Sequence, residues 1–257
     1  MSKLRLSNSK ITAYQQCPRR YRLRYVDRIE TATPGFFLIG SAVHAGVEKL
    51  HLGGALPEAL GAACLSVDAS TSQPYDNSMT ATDMKDLVKK LVTVYHDNAT
   101  PWNVTKAEEE FVIEGANVVL TGTIDAILDN ETRVGELKTS KKAWSQAQAD
   151  LQLQATVYAY HLAFKHKIKT PIEVVYRVLI KPSKTYPAGN FQEVRTVRGP
   201  VHYGYLTQTI TDVATAIQSG LFPRHISPAC GWCEFRRTCI GEAYPQYAGS
   251  KENNDGE

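Results

Sequence analysis

Apolar residues recur along this chain with two different periods, and the change from one to the other divides it. Met84, Leu87, Val88, Leu91, Val92 and Tyr95 follow the 3.6-residue spacing of an amphipathic helix, with Pro101 beyond its end. Phe36 to Leu50 is mostly apolar and helix-compatible, closed by Gly53-Gly54. After Pro101 the pattern changes. Glu110 to Glu114 and Val118 to Leu128 read as strands joined by a tight turn at Gly115-Ala116-Asn117. Asp129-Asn130 makes the next turn, and Arg133 to Lys138 a third strand. Leu151, Ala155, Tyr158, Ala159 and Leu162 then mark a helix, and Ile172 to Ile180 a β-branched strand that stops before Pro182. Leu206, Ile210, Val213, Ala214 and Ile217 mark a late helix with Gly220 as its C-cap.

Near the start, Ser7-Asn8-Ser9 offers caps for a short helix through Gln16. Pro18 suits the first turn of a second helix, which carries Arg19, Arg20, Arg22 and Arg24. Strand–helix–strand over residues 133–180 requires a crossover, hence a mixed sheet. The expected class is α/β, a mixed sheet flanked by helices. We expect a single domain over 1–248, with a helical elaboration at about 36–103, a core at about 106–182 and a disordered tail at 249–257.

The candidate chemistry lies on the strands. Glu136 and Lys138 are two apart on one strand and so share a face, and Asp125 sits on the strand before it. Two carboxylates from neighbouring strands suit a hard dication such as magnesium, which lowers the pKa of water and binds phosphoryl oxygens. Lys138 could position the attacking water or offset negative charge. The Leu137 side chain points the other way, into the core, but its carbonyl is available to a metal. Alone these are ordinary hairpin charges. Gly122, Gln154 with Tyr158 on one helix face, and the upstream His44 tip the balance. Gln154 could hold a carboxylate or water; Tyr158 could meet a sugar-phosphate backbone or belong to the core. His44, in Gly40-Ser41-Ala42-Val43-His44, is either a satisfied core histidine or a metal ligand that favours manganese, with Glu48 one turn on to orient it.

Four cysteines frame the chain. Cys230-x-x-Cys233 is a chelating turn, Cys239 follows, and Cys17 lies near the other end. Four thiolates suit zinc or a 4Fe-4S cluster. One remote cysteine with a C-x2-C-x5-C tail departs from paired zinc knuckles and favours the cluster. Cys64 reads as a small buried hydrophobe. The arginines after Cys17, and Lys141 with Lys142, read equally as phosphate contacts or solvated charge.

Composition narrows the setting. The chain has 257 residues, 43% hydrophobic and 21% charged, enough for a sizeable core. A net charge of +3 is too small to advertise nucleic-acid binding, so any basic surface must be local. The first residues lack an apolar h-region and no run reaches membrane-span length. We expect a cytoplasmic protein with reduced thiols and no membrane partner.

Taken in order, these motifs resemble the RecB-like branch of the PD-(D/E)XK nuclease superfamily. Ser9 to Arg20 resembles its N-terminal signature, Gly40 to His44 its first motif, Gly122-Thr123-Ile124-Asp125 its second and Glu136-Leu137-Lys138 its third. Gln154 to Tyr158 resembles its Gln-x-x-x-Tyr motif. Cys17, Cys230, Cys233 and Cys239 match members that carry a 4Fe-4S cluster. The resemblance implies a restriction-endonuclease-like core and a magnesium- or manganese-dependent deoxyribonuclease. Asp125, Glu136, Lys138, Gln154 and Tyr158 would form the catalytic set, and His44, Asp125, Glu136 and Leu137 the metal set. It further implies DNA as partner and an exonuclease acting on single-stranded or frayed ends, with recombination, repair or CRISPR adaptation proteins nearby. The alternative is a DNA-binding adaptor with an idle centre. Residues 53–103 match no motif, and no phosphate-binding loop of the G-x-x-x-x-G-K-S/T type marks a motor.

Overall fold

A computed structural model describes residues 3–73, 75–76, 78–168 and 171–243. The expected tail from Gly249 lies outside them. In chain order the elements are β1 (Leu4–Leu6), α1 (Asn8–Gln16), α2 (Pro18–Tyr21) running into a π-helical turn (Arg22–Val26), α3 (Gly35–His51), α4 (Leu56–Thr71), α5 (Ala81–Asn98), β2 (Val104–Glu114), β3 (Val118–Leu128), β4 (Arg133–Ser140), α6 (Gln146–Asp150), α7 (Leu153–His166), β5 (Ile172–Ile180), β6 (Asn190–Arg198), α8 (Pro200–Gln218), a 3-10 turn (Pro228–Trp232) and α9 (Arg236–Ala243). Two compact units result. Among the described residues, the first holds those within 3–8 and 33–211, the second those within 9–32 and 212–243. Among the described residues no helix is long and apolar enough to cross a membrane.

The first unit is built on a mixed sheet of six strands among the described residues. β2 pairs antiparallel along nearly all of β3. The other edge of β3 is therefore shared: β1 pairs parallel with Val118–Leu120 at its start, and β4 pairs antiparallel with Ala126–Leu128 at its end. β4 and β5 run parallel with α7 between them, as a crossover requires. β6 closes the sheet antiparallel to β5.

Helices α3, α4 and α5 pack their apolar sides into one cluster with Leu137 of β4 and Leu179 of β5. On α5 this buries Met84, Val88, Leu91, Val92 and Tyr95, each contributing roughly 1.5–3 kcal/mol. Thr80 caps α5 by accepting from Asp83 N at 3.1 Å. Gly46 lets α3 approach its neighbours: a Cβ there would sit 2.8 Å from Val92 and 3.1 Å from the Ala59 carbonyl. Glu136 and Lys138 alternate with Leu137 along β4, so they project opposite this cluster, toward α7.

Several elements differ from expectation, and the short β1, α6 and α9 were not predicted. β2 starts at Val104, six residues before the predicted strand. Helix α4 and strand β6 fill stretches the periodicity left unassigned. The inward side of β6 includes Thr196 and Arg198, both buried, so it shows little apolar alternation. Arg198 is satisfied by Thr156 Oγ1 at 2.9 Å and by the carbonyls of Ala149, Asp150 and Gln152. It thereby ties down the link between α6 and α7.

Candidate metal centre and a cysteine-lined cavity

The centre forms where the sheet forks. Pairing of β3 with β4 ends at Ala126–Gly135. Extending that register places Glu136 opposite Asp125. Asp125 Oδ2 accepts from Leu137 N at 2.8 Å, so a side chain takes the place of a ladder bond. On the other side of β3, the pairs Ala107–Ala126 and Glu109–Ile124 place Glu108 opposite Asp125. Glu108, Asp125 and Glu136 thus stand in a row across three strands. Glu108 has a φ of 48°, a left-handed conformation that costs a residue with a side chain about 1–2 kcal/mol.

Helices bring in the rest. His44 on α3 places Nδ1 3.4 Å from Asp125 Oδ2. His44, Glu108 and Asp125 each offer a ligand atom within 4.8 Å of the others. Asp125, not Glu48, is the carboxylate at the His44 ring, although Glu48 lines the same cavity of about 640 Å³. From α7, Gln154 donates to Glu136 Oε1 at 2.8 Å and to the Tyr158 hydroxyl at 2.7 Å, and accepts from Lys138 Nζ at 2.6 Å. With its nitrogen on a carboxylate and its oxygen on an ammonium group, that amide has its orientation fixed. Lys138 Nζ also lies 2.5 Å from Glu136 Oε1. Tyr158 is buried, its ring edge-on to Phe111. Phe111 lies across Gly122, where a Cβ would come within 2.7 Å of its ring. Gly122 therefore makes room for the ring that backs Tyr158.

Charge in this pocket is unbalanced. Burial and the Asp125 charge push Glu136 up to about 7 despite Lys138. Burial, with Asp125 and Glu48, pushes Glu108 up to about 7. Burial opposes ionisation of Asp125, but its hydrogen bonds from His44 and Leu137 N, with the charges of His44 and Lys138, hold it below the usual range. Burial likewise opposes the charge on His44, yet its bond to Asp125 and the nearby carboxylates raise it. Glu136 Oε2 is buried and has no partner. Three carboxylates, one of them with an unpartnered oxygen, and one imidazole offer a mainly oxygen donor set suited to a small divalent cation.

Sequence reasoning reached His44, Asp125, Glu136, Lys138, Gln154 and Tyr158, which the structure brings into one neighbourhood; Leu137 contributes its N–H there and its side chain to the core. It missed Glu108. The signal was available: counting back from the Gly115–Asn117 turn along an antiparallel pair puts Glu108 across from Asp125.

The second unit gathers the cysteines. Cys17 precedes α2, Cys230 lies in the 3-10 turn, Cys233 follows it and Cys239 is on α9. All four line one cavity of about 280 Å³ with Leu23 and Phe235. Burial raises the Cys233 thiol. Thiolates around one zinc stand about 3.8 Å apart, given Zn–S bonds of about 2.3 Å. Among the described residues these four do not close into such a single-ion group. Cys64, in the first unit, is half-buried.

The arginines after Cys17 are engaged inside this unit. Arg20 and Arg24 hold Glu234 at 3.1 and 3.0 Å, beside Cys233. Arg19 pairs with Glu242, and Arg22 with Asp27 at 3.2 Å. Of these, Arg20 also lines the cysteine cavity.

The family model described as the PD-(D/E)XK nuclease superfamily matches residues 5–240. A Eubacterium rectale protein named "Putative exonuclease" superposes with a TM-score of 0.55 at 9% identity, covering 88% of this chain and 86% of its own. The protein SSO0001 is similar at 15% identity and a TM-score of 0.40, covering 91% and 85%. No curated protein matches this chain.

Proposed function

Because the chain belongs to the PD-(D/E)XK nuclease superfamily, we propose that it is a magnesium- or manganese-dependent deoxyribonuclease, acting from the ends of single-stranded or frayed DNA. The observation that carries this reading is the row Glu108–Asp125–Glu136, with Glu136 Oε2 unpartnered and Lys138 alongside. His44, Glu108, Asp125 and Glu136 would hold the cation, and the reading gives the Leu137 carbonyl a place in that set. A bound dication supplies electrophilic stabilisation of the phosphoryl oxygens and acidifies water. Lys138 supplies a fixed positive charge where negative charge develops on the phosphate. Gln154 holds that ammonium in place, and Tyr158 and Phe111 hold Gln154. Recombination, repair or CRISPR adaptation would be compatible settings, and cytoplasmic partners of that kind belong to the same proposal.

The second unit carries a 4Fe-4S cluster in this reading, held by Cys17, Cys230, Cys233 and Cys239. Its support is that the four thiols line one cavity. Its role is structural, joining the two ends of the chain.

The test is cleavage of end-labelled DNA with magnesium or manganese by Asp125→Ala and Lys138→Ala. Each should lower the rate by roughly 10²–10⁴-fold. Undiminished cleavage in both, with the fold retained, defeats the assignment.

A further inference from the structure

Two large apolar side chains stand exposed at the mouth of the catalytic cavity. Phe36 is 56% and Phe37 48% solvent-accessible. Isolated exposed apolar residues are common, but these two are adjacent, with ring centroids 4.5 Å apart and planes 30° from parallel. Both line the same cavity as His44, Glu108 and Lys138.

Their backbone is pinned. Asp76 Oδ1 accepts from Gly35 N at 3.1 Å, and Asp76 N donates to the Thr33 carbonyl at 3.1 Å. Ser78 holds the same carboxylate from its N–H at 3.0 Å and its hydroxyl at 2.7 Å. A methyl group at Gly35 would collide with Ser78, so the helix start sits flush on this loop. The rings are thus presented from a fixed helix terminus. Phe37, Ser41, His44 and Glu48 follow one stripe of α3. Phe37 precedes His44 by seven residues, or about 10 Å along the axis, near three nucleotides at a stacked rise of about 3.4 Å.

A strand whose phosphate reaches His44 and Asp125 must run close to these rings. Base pairs inside a duplex are covered on both faces by their neighbours. An unpaired base can stack on an aromatic side chain, worth roughly 1–3 kcal/mol. We infer that Phe36 and Phe37 form a stacking platform for an unpaired nucleobase of the strand entering the cavity, and so select single-stranded substrate. This rests on the nuclease reading and specifies what that site accepts.

The experiment compares the whole protein with Phe36→Ala/Phe37→Ala and Phe36→Leu/Phe37→Leu. Substrates are a single-stranded oligonucleotide and the same strand carrying abasic positions. Binding is read separately by quenching of 2-aminopurine in the oligonucleotide. Both double variants should raise KM and weaken binding for the base-bearing strand by about 5- to 150-fold, leaving kcat and the abasic strand nearly unchanged. The leucine pair retains apolar bulk, so recovery of wild-type KM by leucine overturns stacking. Unchanged KM with altered self-association would assign the rings to a protein contact instead. Quenching without cleavage removes the nuclease reading and keeps the platform. Cleavage with a KM blind to both variants does the reverse.

Discussion

The sheet fork and the cysteine cavity gather charged or ionisable ligands by opposite means. At the fork, oxygen and imidazole donors are carried by β2, β3, β4 and α3, elements that the apolar cluster of α3–α5 and the strand pairing hold without any cofactor. Around the cysteine cavity the flanking elements are short: a four-residue helix, a 3-10 turn and an eight-residue helix. Arginine–glutamate pairs such as Arg20–Glu234 and Arg24–Glu234 tie these elements together. The difference teaches that one site is chemistry placed on a self-supporting scaffold, while in the proposed cluster site the ligands would themselves be part of the scaffold.

That contrast breaks most sharply at Glu136. Glu136→Gln should lower kcat by roughly 10²–10⁴-fold while leaving the metal-free Tm equal or higher, because it removes one of three crowded carboxylates. A large fall in Tm would show the fork to be structural after all. Cys17→Ser should behave in the opposite way. We expect about 4 kcal/mol or more of lost stability and loss of visible absorbance, with activity per folded molecule retained; chemical denaturation beside an absorption spectrum checks this.

A third expectation concerns acid. His51, half-buried and 2.7 Å from the Tyr95 hydroxyl, has its pKa lowered to about 4 by burial and by Arg177. The unfolded chain binds that proton first, near 6.5, so stability present above pH 6.5 is lost as pH falls toward 4. The contribution is about 3 kcal/mol, and it should vanish from the pH–stability profile of His51→Gln relative to wild type. An unchanged difference between the two profiles would refute it. The smallest effect is at Glu108. Glu108→Gln should raise the metal concentration for half-maximal cleavage by about 10- to 100-fold with little change at saturation, as for a group that helps seat the ion. A metal titration of activity decides it; an unshifted midpoint removes Glu108 from the ligand set.

Much of the fork and all of the cysteines could be read from the chain, because their spacing is local or their side chains chemically rare. Asp125, Glu136 and Lys138 needed only a hairpin and its period of two. Glu108 was hidden by the run Lys106 to Glu110, which lacks apolar alternation because β2 is a sheet edge. Helix α4 escaped because its buried stripe is Ala59, Ala63 and Val67, small residues with a weak hydrophobic signal. Strand β6 escaped because Arg198 and Thr196, buried and polar, occupy positions where an alternation rule expects apolar ones. Such positions are satisfied by partners far along the chain, and no single-sequence period reports them.

The bond from Leu137 N to Asp125 has a consequence for how this protein could lose activity over time. Losing Lys138 leaves every backbone group of the fork paired as before, whereas an apolar residue at 125 would strand a backbone amide in the gap between two strands. Lineages that abandon cleavage should therefore shed the ammonium group early and keep an acid or its amide at 125, so a silent descendant would still wear the outline of the active one.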